Sequence, residues 1–310
     1  MAAVNRPSSS ANRAVFEVSI TRSMKTISRG PSKPSIAEHE NRQSRAVKTV
    51  NRGARKSSIA GSDHQYCQSR SMKTVHRGPS KPSIAEALTL QLDYVDLCLI
   101  HFPIRIKEEV GITMKDPEPQ DLLPFDMEGT WKALEDCFRK GLTKAIGVSN
   151  FSSKKIMDLI KVAEIPPSVN QVEMHPLWHQ KQLRETCKRF DIHVSAWSPL
   201  GAPRESWGSP DILNEKVIKE IAAKRGKSPT QVALIWGLDN GVSVIPKSFN
   251  RTRMEENLQM FDWHLTEQDH EAIGKLKQRR NSPAYAFCHP EFGSYKTIQD
   301  LWDGEVTASL

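Results

Sequence analysis

From Ala87 onward the apolar positions switch repeatedly between two spacings. Short apolar strand candidates occur in "YVDLCLIH" (94–101), "KAIGVSN" (144–150), "SVNQVEM" (168–174), "HVSAWSP" (193–199) and "VSVIPKS" (242–248). Runs this short, bounded by turn residues, predict buried strands. Between them the apolar residues recur every three or four positions: Trp131, Leu134 and Phe138; Ile156, Leu159 and Ile160; a stretch near Leu183; then 217–223, 230–238 and a segment from Arg251. These predict helices with one buried face, and Asp126 and Ser152 stand where two of them need N-caps. The result is a βα repeat, an α/β domain of parallel strands covered by helices.

Residues 1–86 show no such pattern. "RSMKTISRGPSKPSIAE" (22–38) returns as "RSMKTVHRGPSKPSIAE" (70–86), with a looser copy, "RAVKTVNRGARKSSIAG", at 45–61. Each copy offers a Met or Val and an Ile to bury, too little to offset about 1–2 kcal/mol of backbone entropy per residue. This predicts two regions, a disordered basic repeat segment at 1–86 and a folded domain at 87–310. Charge divides at the same place, with 16 Lys/Arg against 5 Asp/Glu before residue 87 and 28 against 31 after it. The basic excess therefore belongs to the repeats. They have one Tyr, Tyr66, and one Phe, Phe16, and lack the interleaved aromatics of a strand-stacking nucleic-acid surface. Nucleic acid is not the expected partner, although polyanion binding by the repeats stays open as an alternative.

Five scattered cysteines, without paired spacing, fit neither a zinc site nor a disulfide framework, and point to a reducing, cytoplasmic setting. No apolar run is long enough to span a membrane. The Arg- and Ser-rich start leaves an organelle-targeting leader as the alternative. "RKSS" (55–58) could accept a phosphate.

Each predicted strand ends in polar or special residues: His101; Ser149 and Asn150; Gln171 and Glu173; Trp197 and Ser198; Lys247 and Ser248. In a (β/α)8 TIM barrel the site is assembled from the carboxyl ends of several strands, so the recurrence predicts one convergent site. "GLTKAIGVSNFS", "NQVEMHP", "SAWSPLG" and "IPKSFNRTRMEEN" occur in that order, and with them the chain resembles the aldo-keto reductase superfamily from about Leu88 to its C-terminus. "PFDMEGTWKALEDCFRKG" and "FGSYKTIQDLWDGEV" are similar to its plant branch.

The resemblance implies NADPH-dependent reduction of a small-molecule carbonyl substrate by a monomer, without a glycine-rich phosphate loop. None is present here. It implies that Ser149, Asn150 and Gln171 hold the nicotinamide carboxamide and that Trp197 stacks on the ring, where Tyr or Phe is more usual. Ser198 and Leu200 would lie along the pyrophosphate. Lys247, Ser248, Asn250 and Arg253 would grip the 2′-phosphate, with Glu256 and Asn257 near the adenine. Two cations and a hydroxyl at a strand-to-helix junction suit a phosphate. His101 would orient the substrate carbonyl, the one catalytic role assigned.

The family's proton donor is a tyrosine supported by a lysine and an aspartate, all from the front of the barrel, and no match to that pattern precedes Leu88. Asp63 and Tyr66 stand three apart where the family spaces five, and Lys81 is only 20 residues before His101. Neither is assigned a role. Five strands cannot close a barrel, so the chain is expected to be incomplete, prone to aggregate and impaired in activity. An NADPH-binding pseudoenzyme is the alternative. His175 and His179, four apart at Pro176, are not read as a metal pair. The stretch 281–296 is expected to line the substrate pocket or to pack as a tail, and the long loop after Pro103 to act as a lid or a floppy insertion.

Overall fold

The computed structural model describes residues 16–19, 93–107 and 117–306; the three repeats, Asp63, Tyr66 and Lys81 lie outside the described residues. In chain order the strands are β1 (Phe16–Ser19), β2 (Leu97–Ile100), β3 (Arg105–Ile106), β4 (Leu122–Leu123), β5 (Ile146–Ser149), β6 (Val169–Glu173), β7 (His193–Trp197) and β8 (Ser243–Ile245). The helices are α1 (Met127–Arg139), α2 (Ser153–Val162), α3 (Lys181–Arg189), α4 (Asp211–Asn214), α5 (Lys216–Arg225), α6 (Pro229–Asp239), α7 (Arg251–Leu258), α8 (Glu267–Gly274) and α9 (Ile298–Trp302). One sheet runs β1-β2-β5-β6-β7-β8, parallel except where β1 joins β2.

The five predicted strands are the five parallel ones, and the intervening helices bury the predicted faces. Trp131, Leu134, Ile156, Leu159, Leu183, Ile218 and Leu234 are all buried against the strands in one core. Asp126 accepts from the Gly129 amide at 2.9 Å and Ser152 from the Lys155 amide at 3.1 Å, so both predicted caps form. At Gly147 a Cβ would stand 2.6 Å from the Val169 carbonyl and 2.8 Å from Leu99, so glycine is what permits this close approach of β5 to its neighbours.

One expectation fails ahead of residue 87. Phe16–Ser19 is a strand, paired antiparallel with β2 from Phe16 opposite Ile100 to Ser19 opposite Leu97. An unpaired strand edge leaves backbone donors and acceptors without partners, and the apolar-polar alternation of "FEVS" suits it to cover one. The described ends of the long loop are joined: β3 and β4 pair, and the Lys107 amide donates to the Asp121 carbonyl at 2.9 Å.

Candidate functional site

The register sets Ser149 beside Gln171, with Ile100 beside Val148, so His101 and Ser149 leave the sheet at one level. Asn150 follows with φ of 62°, a left-handed turn that an Asn side chain tolerates by bonding locally. Its backbone N–H donates to the Gln171 carbonyl at 2.9 Å, and the Ser149 hydroxyl donates to the same oxygen at 2.7 Å. The Asn150 amide nitrogen donates to the His101 carbonyl at 2.9 Å and to the Ser149 hydroxyl at 3.1 Å, while its oxygen accepts from the Trp197 indole N–H at 3.0 Å. Four strand ends, those of β2, β5, β6 and β7, thus meet in one hydrogen-bonded knot. Ser149 and Asn150 are buried; His101 and Trp197 are half-buried.

Beyond Trp197 the chain turns through Ser198 (φ 47°) and Gly201 (φ 79°), and Gly208 packs so closely that a Cβ would sit 1.9 Å from the Ala202 carbonyl. This loop carries Trp207, whose ring meets Trp197 edge-on at 5.6 Å. Leu200 is half-buried, packed against a cluster that includes Ile212 and Ala233.

The second group stands on β8 and α7. Lys247 is exposed, 3.5 Å from Glu205 and 4.8 Å above the Phe249 ring. Asn250 caps α7 through the Arg253 amide at 3.0 Å, and Ser248 exchanges hydrogen bonds with the Asn250 backbone at 3.2 and 3.3 Å. Arg253 and Glu256 are exposed, whereas Asn257 is buried with its side-chain oxygen unpaired. Such an orphaned acceptor carries a desolvation cost that a donor group arriving from outside would remove. Of the thirteen predicted residues, His101, Ser149, Asn150, Gln171 and Trp197 belong to the carboxyl-terminal parts of β2, β5, β6 and β7, Ser198 and Leu200 follow β7, Lys247, Ser248 and Asn250 lie between β8 and α7, and Arg253, Glu256 and Asn257 stand on α7.

His175 and His179 are engaged elsewhere. The Leu177 amide donates to His175 Nδ1, so Nε2 carries the proton and donates to Glu173 at 3.0 Å. His179 Nε2 meets the Pro176 carbonyl at 2.7 Å, and burial lowers its pKa to about 4. Glu173 also accepts from the Asn281 and Ser282 amides at 2.7 and 3.1 Å, anchoring the root of the C-terminal segment. Burial alone would raise the Glu173 carboxyl, but His175 and Arg280 outweigh it and hold the group below its usual range. Farther along, Lys155 donates to Asp303 at 2.6 Å and to the Leu301 carbonyl at 2.7 Å. Phe287 lies 4.9 Å from Phe102, which adjoins His101, so part of 281–296 does border that end of the sheet.

Glu173 thus joins His175, two residues away in "HPLWH", to Asn281 and Ser282, more than a hundred residues downstream. Trp207 was missed; a lone tryptophan between "GAPRES" and "GSP" was the available signal.

Two Tyr-Lys-Asp groups occur among the described residues. Tyr94, Lys144 and Asp96 cluster before β2 and β5, at the opposite end of the strands from His101. Tyr295 lies under Lys155 near Asp303, but burial and the Asp303 charge push its phenol up, the wrong direction for a ready acid. Tyr285, the remaining described tyrosine, is 67% exposed.

Residues 72–278 match the aldo/keto reductase family, a match that begins inside the third repeat. The chain is 49% identical to a Citrus sinensis (1S)-1,7-diacetoxy-luvungin A aldo-keto reductase, over 70% of this chain and 67% of that one. With deoxymugineic acid synthase 1-A of Triticum aestivum the identity is 46%, over 70% and 68%. Among solved structures, a Bombyx mori aldo-keto reductase in complex with NADP superposes with a TM-score of 0.59 at 31% identity, covering 69% of this chain and 67% of that one. A Schistosoma japonicum aldose reductase gives 0.60 at 31%, covering 66% of each. The chain thus spans about two thirds of the length of these relatives.

Proposed function

Because the chain belongs to the aldo/keto reductase family, whose members are oxidoreductases, we propose that it binds NADPH across the strand ends and reduces an aldehyde or ketone beside His101. The observation that carries this reading is the knot at Asn150, which fixes His101, Gln171 and Trp197 relative to one another before any ligand arrives. The residues present fit the cofactor. Gln171 has no hydrogen bond from its amide among the described residues, Trp197 offers a half-buried aromatic face, and Asn257 holds an unpaired acceptor.

When bound, NADPH supplies the hydride. Gln171 would donate to the nicotinamide carboxamide, and the Asn150 oxygen would accept from it. Lys247 and Arg253 hold the 2′-phosphate, and Asn257 meets the adenine end. His101 donates a hydrogen bond to the substrate carbonyl oxygen, where negative charge develops as hydride arrives. Among the described residues no tyrosine is placed and tuned to protonate the alkoxide; drawing that proton from solvent water instead would lower turnover by about 10²–10⁴ relative to a site with a positioned acid. We place the protein as a monomer in a reducing compartment, with its reductase domain from about residue 87. Among the described residues no helix is long and apolar enough to cross a membrane.

The test is NADPH titration of the purified chain, followed by NADPH consumption with a panel of aldehydes and ketones. Slow turnover that His101→Ala abolishes is expected. Binding without any turnover would leave an NADPH-binding pseudoenzyme, and no binding at all would overturn the proposal.

A further inference from the structure

We infer that Trp197 is a positioning residue as well as a stacking surface: its indole N–H locks the Asn150 amide so that Gln171 alone of the three carboxamide-recognising residues has a hydrogen left to give. The inference rests on the cofactor reading above and assigns the hydrogens within it. An indole N–H can only donate and a backbone carbonyl can only accept. Asn150 has one on each side, Trp197 at 3.0 Å from its oxygen and the His101 carbonyl at 2.9 Å from its nitrogen. These two neighbours leave one orientation for the amide. Its second hydrogen reaches the Ser149 hydroxyl at 3.1 Å, and that hydroxyl gives its own hydrogen to the Gln171 carbonyl at 2.7 Å. Asn150 and Ser149 therefore present only acceptor lone pairs to a ligand.

A phenylalanine ring in place of Trp197 would still stack but would leave the amide held on its nitrogen side alone, by the His101 carbonyl and the Ser149 hydroxyl. Trp207, edge-on to Trp197 at 5.6 Å, holds the indole plane in place. Trp197 thereby acts on His101 through Asn150, because the carbonyl that Asn150 grips belongs to His101 itself.

The experiment compares two ligands, NADPH and 2′-phospho-ADP-ribose, which lacks the nicotinamide, by quenching of intrinsic tryptophan fluorescence and by calorimetry. Trp197→Phe is expected to weaken NADPH about fivefold to tenfold, as for one neutral hydrogen bond, and to leave 2′-phospho-ADP-ribose within about twofold. In an Asn150→Ala background the same change is expected to do almost nothing, since the bond it removes is already gone. Equal weakening of both ligands, no weakening of NADPH, or full additivity with Asn150→Ala would each overturn the inference. Failure of the unaltered chain to bind either ligand would sink the proposed function and this inference together; binding of both with no Trp197 effect sinks the inference alone.

Discussion

Asn150 and Lys247 close two strands of one sheet, yet their surroundings share little. Asn150 is 2% exposed, and four hydrogen bonds join it to His101, Ser149, Gln171 and Trp197. The Lys247 side chain is 58% exposed and meets one carboxylate, Glu205, at 3.5 Å. A group held by four partners contributes geometry, because its orientation is set before ligand arrives. A cation on a mobile stem contributes charge, which acts over several ångströms and needs little alignment. On the proposed cofactor reading, the Asn150 end would therefore serve orientation, as the nicotinamide end, and the Lys247 end attraction, as the phosphate end. Changes at the first should disturb the fold and the reaction; changes at the second should disturb affinity alone.

The largest effect is expected at Glu173, under the nicotinamide end. Its carboxylate is buried and accepts from His175, Asn281 and Ser282. Glu173→Ala leaves those donors without a partner in the core and should cost about 3–5 kcal/mol, read as a collapse of the urea midpoint. The matching change at the phosphate end, Glu256→Ala, removes an exposed side chain and should stay within about 0.5 kcal/mol. Equal losses would erase the contrast.

Acid sharpens the same contrast. Burial works against the Glu173 carboxylate, but His175, Arg280 and the Asn281 amide hold its pKa below the ordinary 4.5. A depressed carboxyl contributes stability that is fully present above the unfolded value and is lost as pH falls through the folded one. Unfolding free energy should therefore decline below about pH 4.5, and in Glu173→Gln that decline should be shallower. A Glu173→Gln profile that runs parallel to the parent's would show that other carboxyls set the acid limit.

How much of this could be read from the chain depended on how local the cause was. The parallel strands and the caps at Asp126 and Ser152 were legible, because apolar runs and N-caps are written within a few residues. The pairing of Phe16–Ser19 with β2 was not, since the alternation of a four-residue segment 78 positions before its partner is too short to stand out. Nor was Glu173, which the sequence marks only as one more polar strand end. Its meaning comes from Asn281 and Ser282, brought to it by the return of the chain beneath the C-terminal segment. The candidate site shows the same divide. Its membership followed from motifs at the strand ends, whereas the direction of each hydrogen bond around Asn150 required the fold.

At the phosphate end, Lys247→Ala and Arg253→Ala should each weaken NADPH about tenfold or more, and together about a hundredfold or more, while NADH binding stays unchanged. The effect should shrink as salt rises, because both side chains are exposed. Loss of NADH affinity in the same variants would show that these residues support the fold rather than the phosphate.

A smaller effect on NADPH binding is expected at Asn250, where the two kinds of construction meet. Its side chain accepts from the Arg253 amide at 3.0 Å and so caps a helix of eight residues whose first turn carries one of the two cations. Asn250→Ala removes the cap and should cost about 1 kcal/mol. In a domain of this size that is a fall of about 2–4 °C in Tm. Because Arg253 acts as a charge rather than through fixed geometry, NADPH affinity should fall no more than about threefold, well short of the Arg253→Ala loss. Hydrogen exchange at the Arg253 amide reads the cap directly: it should lose protection while the amide of Asn150, deep in the knot, keeps its own. If Asn250→Ala weakens NADPH as much as Arg253→Ala, the phosphate end depends on preorganised geometry after all, and the contrast with Asn150 disappears.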